Sequence, residues 1–265
     1  MLFIRRYKQN FAARDIVKMI LVISSKIRKI AGLIVVALVV TGCTITAPGT
    51  INDPSERENR KVHRFNKAVD KNLLSPVSKA YGKIIPPSAD SKVGNFVDNL
   101  AIPGEIINSV LQLNFEDVTI NTIRFAVNTI FGLGGIFDFA SEIGMEADVD
   151  TDFGETLYVL GFPEGEYIEL PLLGPSTERD TYGKVVDFFL NPLDRIAPRS
   201  IRRVKTPAYV LDKVGDRHQY AEFIDGILYN SEDSYSTARS IYLQRRRFQL
   251  NRGINLDELE DPYAN

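Results

Sequence analysis

Residues 115–144, FEDVTINTIRFAVNTIFGLGGIFDFASEIG, decide the fold class. Val118, Ile123, Ala126, Val127, Ile130 and Phe131 recur at helical spacing and make a wide apolar face, with Asn121, Arg124 and Asn128 on the polar one. Gly132, Gly134 and Gly135 end this helix, since glycine disfavours a helix interior and suits the turn beyond it. Residues 135–144 then carry Ile136, Phe137, Phe139, Ala140 and Ile143, a second short apolar helix.

The same helical signal extends outward on both sides. Residues 55–70 read as a helix with Ser55 as N-cap and Val62, Phe65 and Val69 on one face. Pro76, Pro86, Pro87 and Pro103 punctuate the next stretch, leaving short helices over 91–100 and 105–113. Residues 145–182 are rich in Gly, Pro and acidic groups and read as loops with short extended pieces. Helix returns over 184–190, 207–228 and 234–251. The fold class is mostly α with few or no strands, and no internal repeat is present. Residues 53–252 form one α-helical domain, followed by an acidic, flexible tail over 253–265.

The composition is that of an ordinary globular chain: 265 residues, 44% hydrophobic and 25% charged, which excludes disorder over most of the length. The 32 basic and 34 acidic residues nearly cancel, so nothing points to nucleic acid. The cancellation hides an asymmetry, because eight of the basic residues and only one acidic residue lie in positions 1–43. The body beyond is acidic and the basic charge marks a targeting segment. Residues 30–40, IAGLIVVALVV, follow Lys26, Arg28 and Lys29 and end at Thr41-Gly42-Cys43. A basic region, a short apolar run and small residues at the cleavage point describe a signal peptide over 1–42. The run is too short for a membrane span of about 20 residues. Met19 is a second candidate start, which would leave 1–18 untranslated. Val40-Thr41-Gly42-Cys43 resembles a bacterial lipobox, whose cysteine is acylated and becomes the first mature residue. Thr44 after it, rather than Asp, favours export to the outer membrane in that class. Residues 43–52 are then a tether from a lipid anchor at Cys43.

Chemistry finds little purchase. Cys43 is the single cysteine, which excludes an internal disulfide and a multi-thiolate metal site. Asp148, Asp150 and Asp152 alternate as a calcium loop begins, but Phe153 and Val159 stand where that loop needs Gly and Glu, so a solvated acidic loop is the better reading. The Gly132–Gly135 run lacks the spacing of a nucleotide loop and follows a helix rather than a strand. No G-x-S-x-G elbow exists, and His63 and His218 read as surface or capping residues. No enzyme, metal or cofactor is expected. Arg245, Arg246 and Arg247, with Arg239 and Arg252 nearby, have two readings in balance. They complement the dipole at a helix C-terminus, or they contact phosphate headgroups or an acidic partner.

Several strings taken together resemble the MlaA (VacJ) lipoprotein family. They are Asn52-Asp53-Pro54 with Glu56, Asn59-Arg60 and Phe65-Asn66; Arg124-Phe125 with Asn128-Thr129, Gly132-Leu133-Gly134-Gly135 and Asp138; Asp152-Phe153-Gly154-Glu155-Thr156-Leu157 with Gly161, Gly165 and Tyr167; and Leu170-Pro171, Gly174-Pro175-Ser176, Arg179-Asp180 and Gly183, with Tyr242 and Arg246 in the final helix. Their collinear order over roughly 52–250 is specific where no single string is. The resemblance implies a lipid-anchored protein of the Gram-negative outer membrane, facing the periplasm. It implies a ring of amphipathic interfacial helices in the inner leaflet around a central amphipathic channel. It also implies removal of mislocalised phospholipid from the outer leaflet to a periplasmic carrier, and association with a trimeric porin. On that reading Phe65, Asn66, Gly132, Gly134 and Gly135 are channel or hinge residues, with Phe65-Asn66 near a gating hairpin or Phe65 in the core. Arg245, Arg246 and Arg247 would meet headgroups or a partner, while Asp53, Asn59, Arg60, Arg179 and Asp180 hold loops together. The physics agrees: beyond residue 43 no apolar run approaches a full span, whereas amphipathic helices broken by Pro and Gly can lie at an interface, with 115–144 as the embedded part. The rival reading is a scaffolding envelope lipoprotein that binds porin or periplasmic partners without moving lipid. An envelope hydrolase is weaker still, lacking a nucleophile motif.

Overall fold

The computed structural model describes residues 51–145 and 150–251; the leader, Cys43, Asp148 and the acidic tail lie outside them. The described chain is mostly helical, with one two-stranded sheet. Helix α1 (Glu56–Val69) passes through a π-helical turn (Asp70–Leu74) directly into α2 (Ser75–Ile84). Then come α3 (Pro87–Leu111), α4 (Phe115–Ile130), the single turn α5 (Phe139–Glu142) and α6 (Phe153–Val159). Strands β1 (Tyr167–Leu170) and β2 (Gly174–Thr177) form an antiparallel hairpin pairing Tyr167 with Thr177 and Leu170 with Gly174. The chain ends with α7 (Glu178–Leu190), the turn α8 (Leu193–Ile196), α9 (Arg199–Gln219), α10 (Ala221–Asp225), a second π turn (Gly226–Asn230) and α11 (Ser234–Leu250). Helix α3 packs on α4, α6 on α7, and α9 on both α2 and α3.

Two prolines do not break the helices as their sequence position suggests. Pro103 lies inside the 25-residue α3, which therefore replaces the two short helices expected there. A proline costs its helix one N–H bond and crowds the carbonyl four residues back. In the same turn Asn191 Nδ2 donates to Leu100 O at 2.7 Å, a side-chain bond that ties the disturbed stretch to the segment after α7. Pro207 likewise lies within α9, which begins at Arg199 instead of at the proline.

In α1 and α4 the helix faces are inverted relative to a water-soluble fold. In α4 the buried residues are Asn121, Arg124 and Asn128, while Ile123, Ile130 and the adjoining Phe131 are exposed. In α1 the buried residues are Asn59 and His63, and Phe65 is 51% exposed, so Phe65 is not a core residue. Among the described residues twenty buried side chains are polar or charged and ten are hydrophobic, whereas thirty-one large hydrophobic side chains are exposed. Exposed apolar residues are common singly; a buried polar majority is the informative half of the pattern. The only cluster of fully buried hydrophobic residues described is Tyr167, Tyr235 and Leu243, flanked by Tyr242.

The turn after α4 shows how a polar interior is closed. Gly135 N–H donates to Asn128 O and Gly134 N–H to Thr129 O, wrapping the chain back on the helix end. Gly135 has a φ of +95°, and a Cβ there would stand 2.3 Å from the Cβ of Asn99 on α3. Gly134 has a φ of +77° with open space around it. Gly134→Ala should therefore cost only the left-handed backbone penalty of about 1–2 kcal/mol. Gly135→Ala should cost clearly more, because α3 must also move. Thermal unfolding of the two variants in detergent checks the order, and equal losses would contradict the close approach of α3.

Candidate functional site

The described polar side chains gather into four centres. The first joins α6, α7 and α11. Asp152 caps α6, accepting from Glu155 N–H at 2.8 Å, and Asp180 stands in the first turn of α7. Arg246 shares a helix face with the buried Leu243 and Leu250, which carries its guanidinium inward. Its Nη2 reaches Asp152 Oδ1 at 2.7 Å and Asp180 Oδ1 at 3.1 Å, its Nε reaches Asp180 Oδ2 at 3.1 Å, and Tyr242 OH donates to that same Oδ2 at 2.6 Å. Glycines make the approach possible: a Cβ on Gly154 would lie 2.6 Å from Asp180 Oδ1, and one on Gly183 would lie 2.4 Å from Gly154 N. Burial alone would raise the Asp180 pKa, yet Arg246, Tyr242 and Arg179 hold its carboxyl below the ordinary range. Burial pushes Lys184 down and Asp187 up, the latter despite bonds from Phe153 N–H at 3.0 Å and Asn108 Nδ2 at 2.9 Å.

The second centre ties α1 to the hairpin and to α11. Asn59 Nδ2 donates to Tyr167 O at 2.9 Å and to Asp53 Oδ1 at 2.9 Å, while its Oδ1 accepts from Glu169 N–H at 3.0 Å. Asp53 also accepts from Tyr235 OH and pairs with Arg239. Asn66 Nδ2 donates to Leu170 O at 2.9 Å, and its Oδ1 accepts from Leu172 N–H at 2.8 Å, so one side chain spans the hairpin turn. That turn presents Leu172 and Leu173 outward, 69% and 64% exposed. His63 is buried rather than at the surface, its Nδ1 3.2 Å from Glu169 Oε1 and its Nε2 3.1 Å from Ser234 Oγ. Acid, imidazole and hydroxyl follow the order of a nucleophilic triad. The adjacent N–H groups of Tyr235 and Ser236 are given to Asp233 Oδ1, and the His63 bonds tie α1 to β1 and to α11.

The third centre closes the glycine turn. Arg124 Nη2 meets Asp138 at 2.9 and 3.0 Å, Asn128 Nδ2 donates to Asp138 Oδ1 at 2.9 Å, and Asn99 Nδ2 donates to Gly134 O at 3.2 Å. A Cβ on Gly132 would overlap Phe137 O at 2.1 Å. In the fourth, Arg217 reaches Asp70 with Nε at 2.7 Å and Nη2 at 3.0 Å, and pairs with Asp225. Tyr229 OH donates to Asp70 Oδ2 at 2.6 Å, so both π turns converge on this ion pair. His218 is exposed in the last turn of α9 and lies against Gly82, where a Cβ would overlap its ring.

The residues singled out from sequence thus fall in separate networks. Asn66 belongs to the hairpin and Gly132, Gly134 and Gly135 to the α3–α4 turn, while Cys43 lies outside the described residues. The three consecutive arginines divide. Arg245 is exposed, Arg246 is buried in its ion network, and Arg247 is bidentate to Glu164 at 2.9 and 2.8 Å. Asp152 is a cap paired with Arg246 whose side chain is still 44% exposed, Asp150 is exposed, and Asp148 lies outside the described residues. Sequence reasoning missed Asp70, Arg217 and the depth of Arg246; the available signal was a charge placed on the same helix face as apolar residues. Among the described residues no group of His, Cys, Asp and Glu is arranged to hold a metal.

Arg246→Ala leaves two carboxylates facing each other without their cation, and should cost on the order of 3–5 kcal/mol. The pH dependence has a defined sign. Because the folded Asp180 pKa is depressed, its contribution is complete above the ordinary carboxylate pKa of about 3.9 and is lost as pH falls below it. Acid unfolding of Asp180→Asn should therefore show a shallower loss of stability below that pH than wild type; an unchanged slope would contradict the pairing.

Comparison with known proteins follows the same chain order. The family model for the MlaA lipoprotein matches residues 51–249. The chain is 32% identical over 217 residues to the intermembrane phospholipid transport system lipoprotein MlaA of Escherichia coli K12, covering 80% of this chain and 84% of that one. An uncharacterized protein of Rickettsia bellii is 33% identical over 197 residues, covering 74% and 76%. A solved structure from work on the structural basis for maintenance of bacterial outer membrane lipid asymmetry superposes with a TM-score of 0.63 at 31% identity, over 75% of this chain and 99% of that one. With a family model spanning most of its length and relatives matched over three quarters or more of their own, this chain belongs to the MlaA lipoprotein family.

Proposed function

We propose that this protein is an outer-membrane lipoprotein, anchored through Cys43 and facing the periplasm, that moves phospholipid without covalent chemistry. The observation that carries the reading is the inverted burial: paired polar groups inside, and a surface bearing Ile123, Ile130, Phe131, Leu133, Phe188 and Phe189. Such a surface is costly in water and at home in acyl chains. No described helix is long and apolar enough to cross a membrane, so the helices lie at the interface rather than spanning it. The relatives named as phospholipid transport lipoproteins support the substrate class. In this reading the helices ring an amphipathic channel. Mislocalised phospholipid leaves the outer leaflet through it, passes the hairpin held by Asn66 and the turn at Gly132–Gly135, and is received by a periplasmic carrier. A trimeric porin holds the assembly in place.

The test is outer-leaflet phospholipid in a strain lacking the gene, complemented with wild type or with Cys43→Ala. Surface phospholipid should rise several-fold in the deletion, return to baseline with wild type, and stay high with Cys43→Ala. An unchanged surface in the deletion strain would sink the transport reading and leave a scaffold that binds envelope partners.

A further inference from the structure

The segment from α8 into the first half of α9 is unlike the rest of the molecule. From Pro198 to Lys213 no residue is buried. Arg199, Arg202 and Arg203 stand at i, i+3 and i+4 and so share one face of α9. Ile201, Val204, Ala208 and Leu211 follow at i, i+3, i+7 and i+10, on the opposite face. Just ahead lie Arg195 and Ile196, the latter 75% exposed.

The arginines are placed where the fold gains nothing from them. The first turn of α9 holds no acidic residue, so its positive dipole end is met by Arg199 and Arg202, a placement that costs each about 0.3–1 kcal/mol. Neighbouring lysines are neutralised internally, Lys205 by Asp194 at 2.6 Å and Lys213 by Asp216 at 2.7 Å. The guanidinium groups of Arg195, Arg199, Arg202 and Arg203 meet no carboxylate among the described residues. Many arginines elsewhere are paired with carboxylates, Arg60 with Asp233, Arg217 with Asp70, Arg246 with Asp180 and Arg247 with Glu164, while Arg57, Arg64 and Arg245 are exposed but are not gathered on one segment as these four are. A body otherwise rich in acid thus keeps four free cations on one amphipathic segment.

We propose that the α8–α9 segment is a headgroup-binding surface for anionic phospholipid. Ile201, Val204 and Leu211 settle at the acyl boundary, and Arg195, Arg199, Arg202 and Arg203 bind the phosphates of the same leaflet. The chemistry fits, because a guanidinium donates to phosphate in a fork and each cation near an anionic leaflet contributes independently of sequence register. The inference rests on the membrane reading above and adds a lipid preference to it: the protein seats on a leaflet containing phosphatidylglycerol-type headgroups rather than zwitterionic ones alone.

The experiment uses the full chain reconstituted into vesicles of phosphatidylcholine alone or with phosphatidylglycerol. A solvatochromic amino acid replaces Ser200 in one sample and Ile130, on the exposed apolar face of α4, in another. Quenching is read from spin labels at the headgroup and in the acyl chain. The position-200 probe should be quenched by the headgroup label in the phosphatidylglycerol vesicles. That quenching should fall several-fold in phosphatidylcholine, at high salt, and in the variant R195Q/R199Q/R202Q/R203Q. The position-130 probe should be quenched by the acyl label throughout, which also reports that the variant is folded and inserted. Equal headgroup quenching at position 200 in both lipids would overturn the anionic preference. A water-exposed probe at 200 with an acyl-quenched probe at 130 would overturn the surface itself and assign the arginines to an acidic protein. Probes in water at both positions would defeat the membrane reading on which the inference stands.

Discussion

Arg246 brings a full positive charge into the contact of three helices, and the arrangement of α6, α7 and α11 follows from keeping that charge paired. Once such a cation is buried it cannot be left alone: losing both carboxylates would strand a desolvated charge. Gly154 and Gly183 let α6 and α7 come close enough for Asp152 and Asp180 to share one guanidinium. The same constraint recurs where Arg217 meets Asp70, where Arg124 meets Asp138 and where Arg239 meets Asp53. The Arg217–Asp70 and Arg239–Asp53 pairs join elements distant in sequence, and Arg124–Asp138 closes the turn after α4. A fold with few buried hydrophobic residues is held together by directional bonds, whose geometry tolerates little change, more than by the non-directional burial of apolar area.

This explains what the surface is free to be. In a water-soluble protein the large apolar residues are withdrawn to build the core, and the charged ones solvate the outside. Here the ion pairs and amide networks have taken the interior, so Ile130, Phe131 and Phe188 are available to face outward. Arginine is used in two ways: Arg217 and Arg246 are internal, paired and structural, whereas the four on α8 and α9 are external and without a counter-ion among the described residues.

Much of this was legible in the amino-acid sequence, and the remainder was hidden for identifiable reasons. Periodicity located α4 to within a residue and separated Ile123 and Ile130 from Asn121, Arg124 and Asn128. What periodicity does not encode is which face turns inward, because amphipathicity has the same pattern in water and at a bilayer. The glycine turn was readable because three glycines in four positions have few other uses, yet Asn99, whose packing requires Gly135, lies 36 residues earlier and is invisible to local pattern. Pro103 reads as a stop because what holds the helix through it, such as the bond from Asn191 to Leu100 O, is equally remote. Arg245, Arg246 and Arg247 look alike as letters; only the helix face shared with Leu243 and Leu250 sets the middle one apart.

The π turns at Asp70–Leu74 and Gly226–Asn230 have a consequence for how the chain tolerates length changes. A π turn is an α-helix carrying one surplus residue, accommodated by bonds reaching five positions instead of four. Each residue of a helix accounts for about 100° of rotation. Removing one residue from 70–74 would restore a regular helix while swinging α1 by that angle relative to α2. Asn59, His63 and Asn66 would leave the hairpin together, and Asp70 would leave Arg217, although no side chain had been altered. The first π turn is thus a phase corrector between two halves of one helix. It puts the hairpin contacts and the Asp70 ion pair on their respective partners at the same time, so the spacing of this stretch is under a stricter constraint than its residue types.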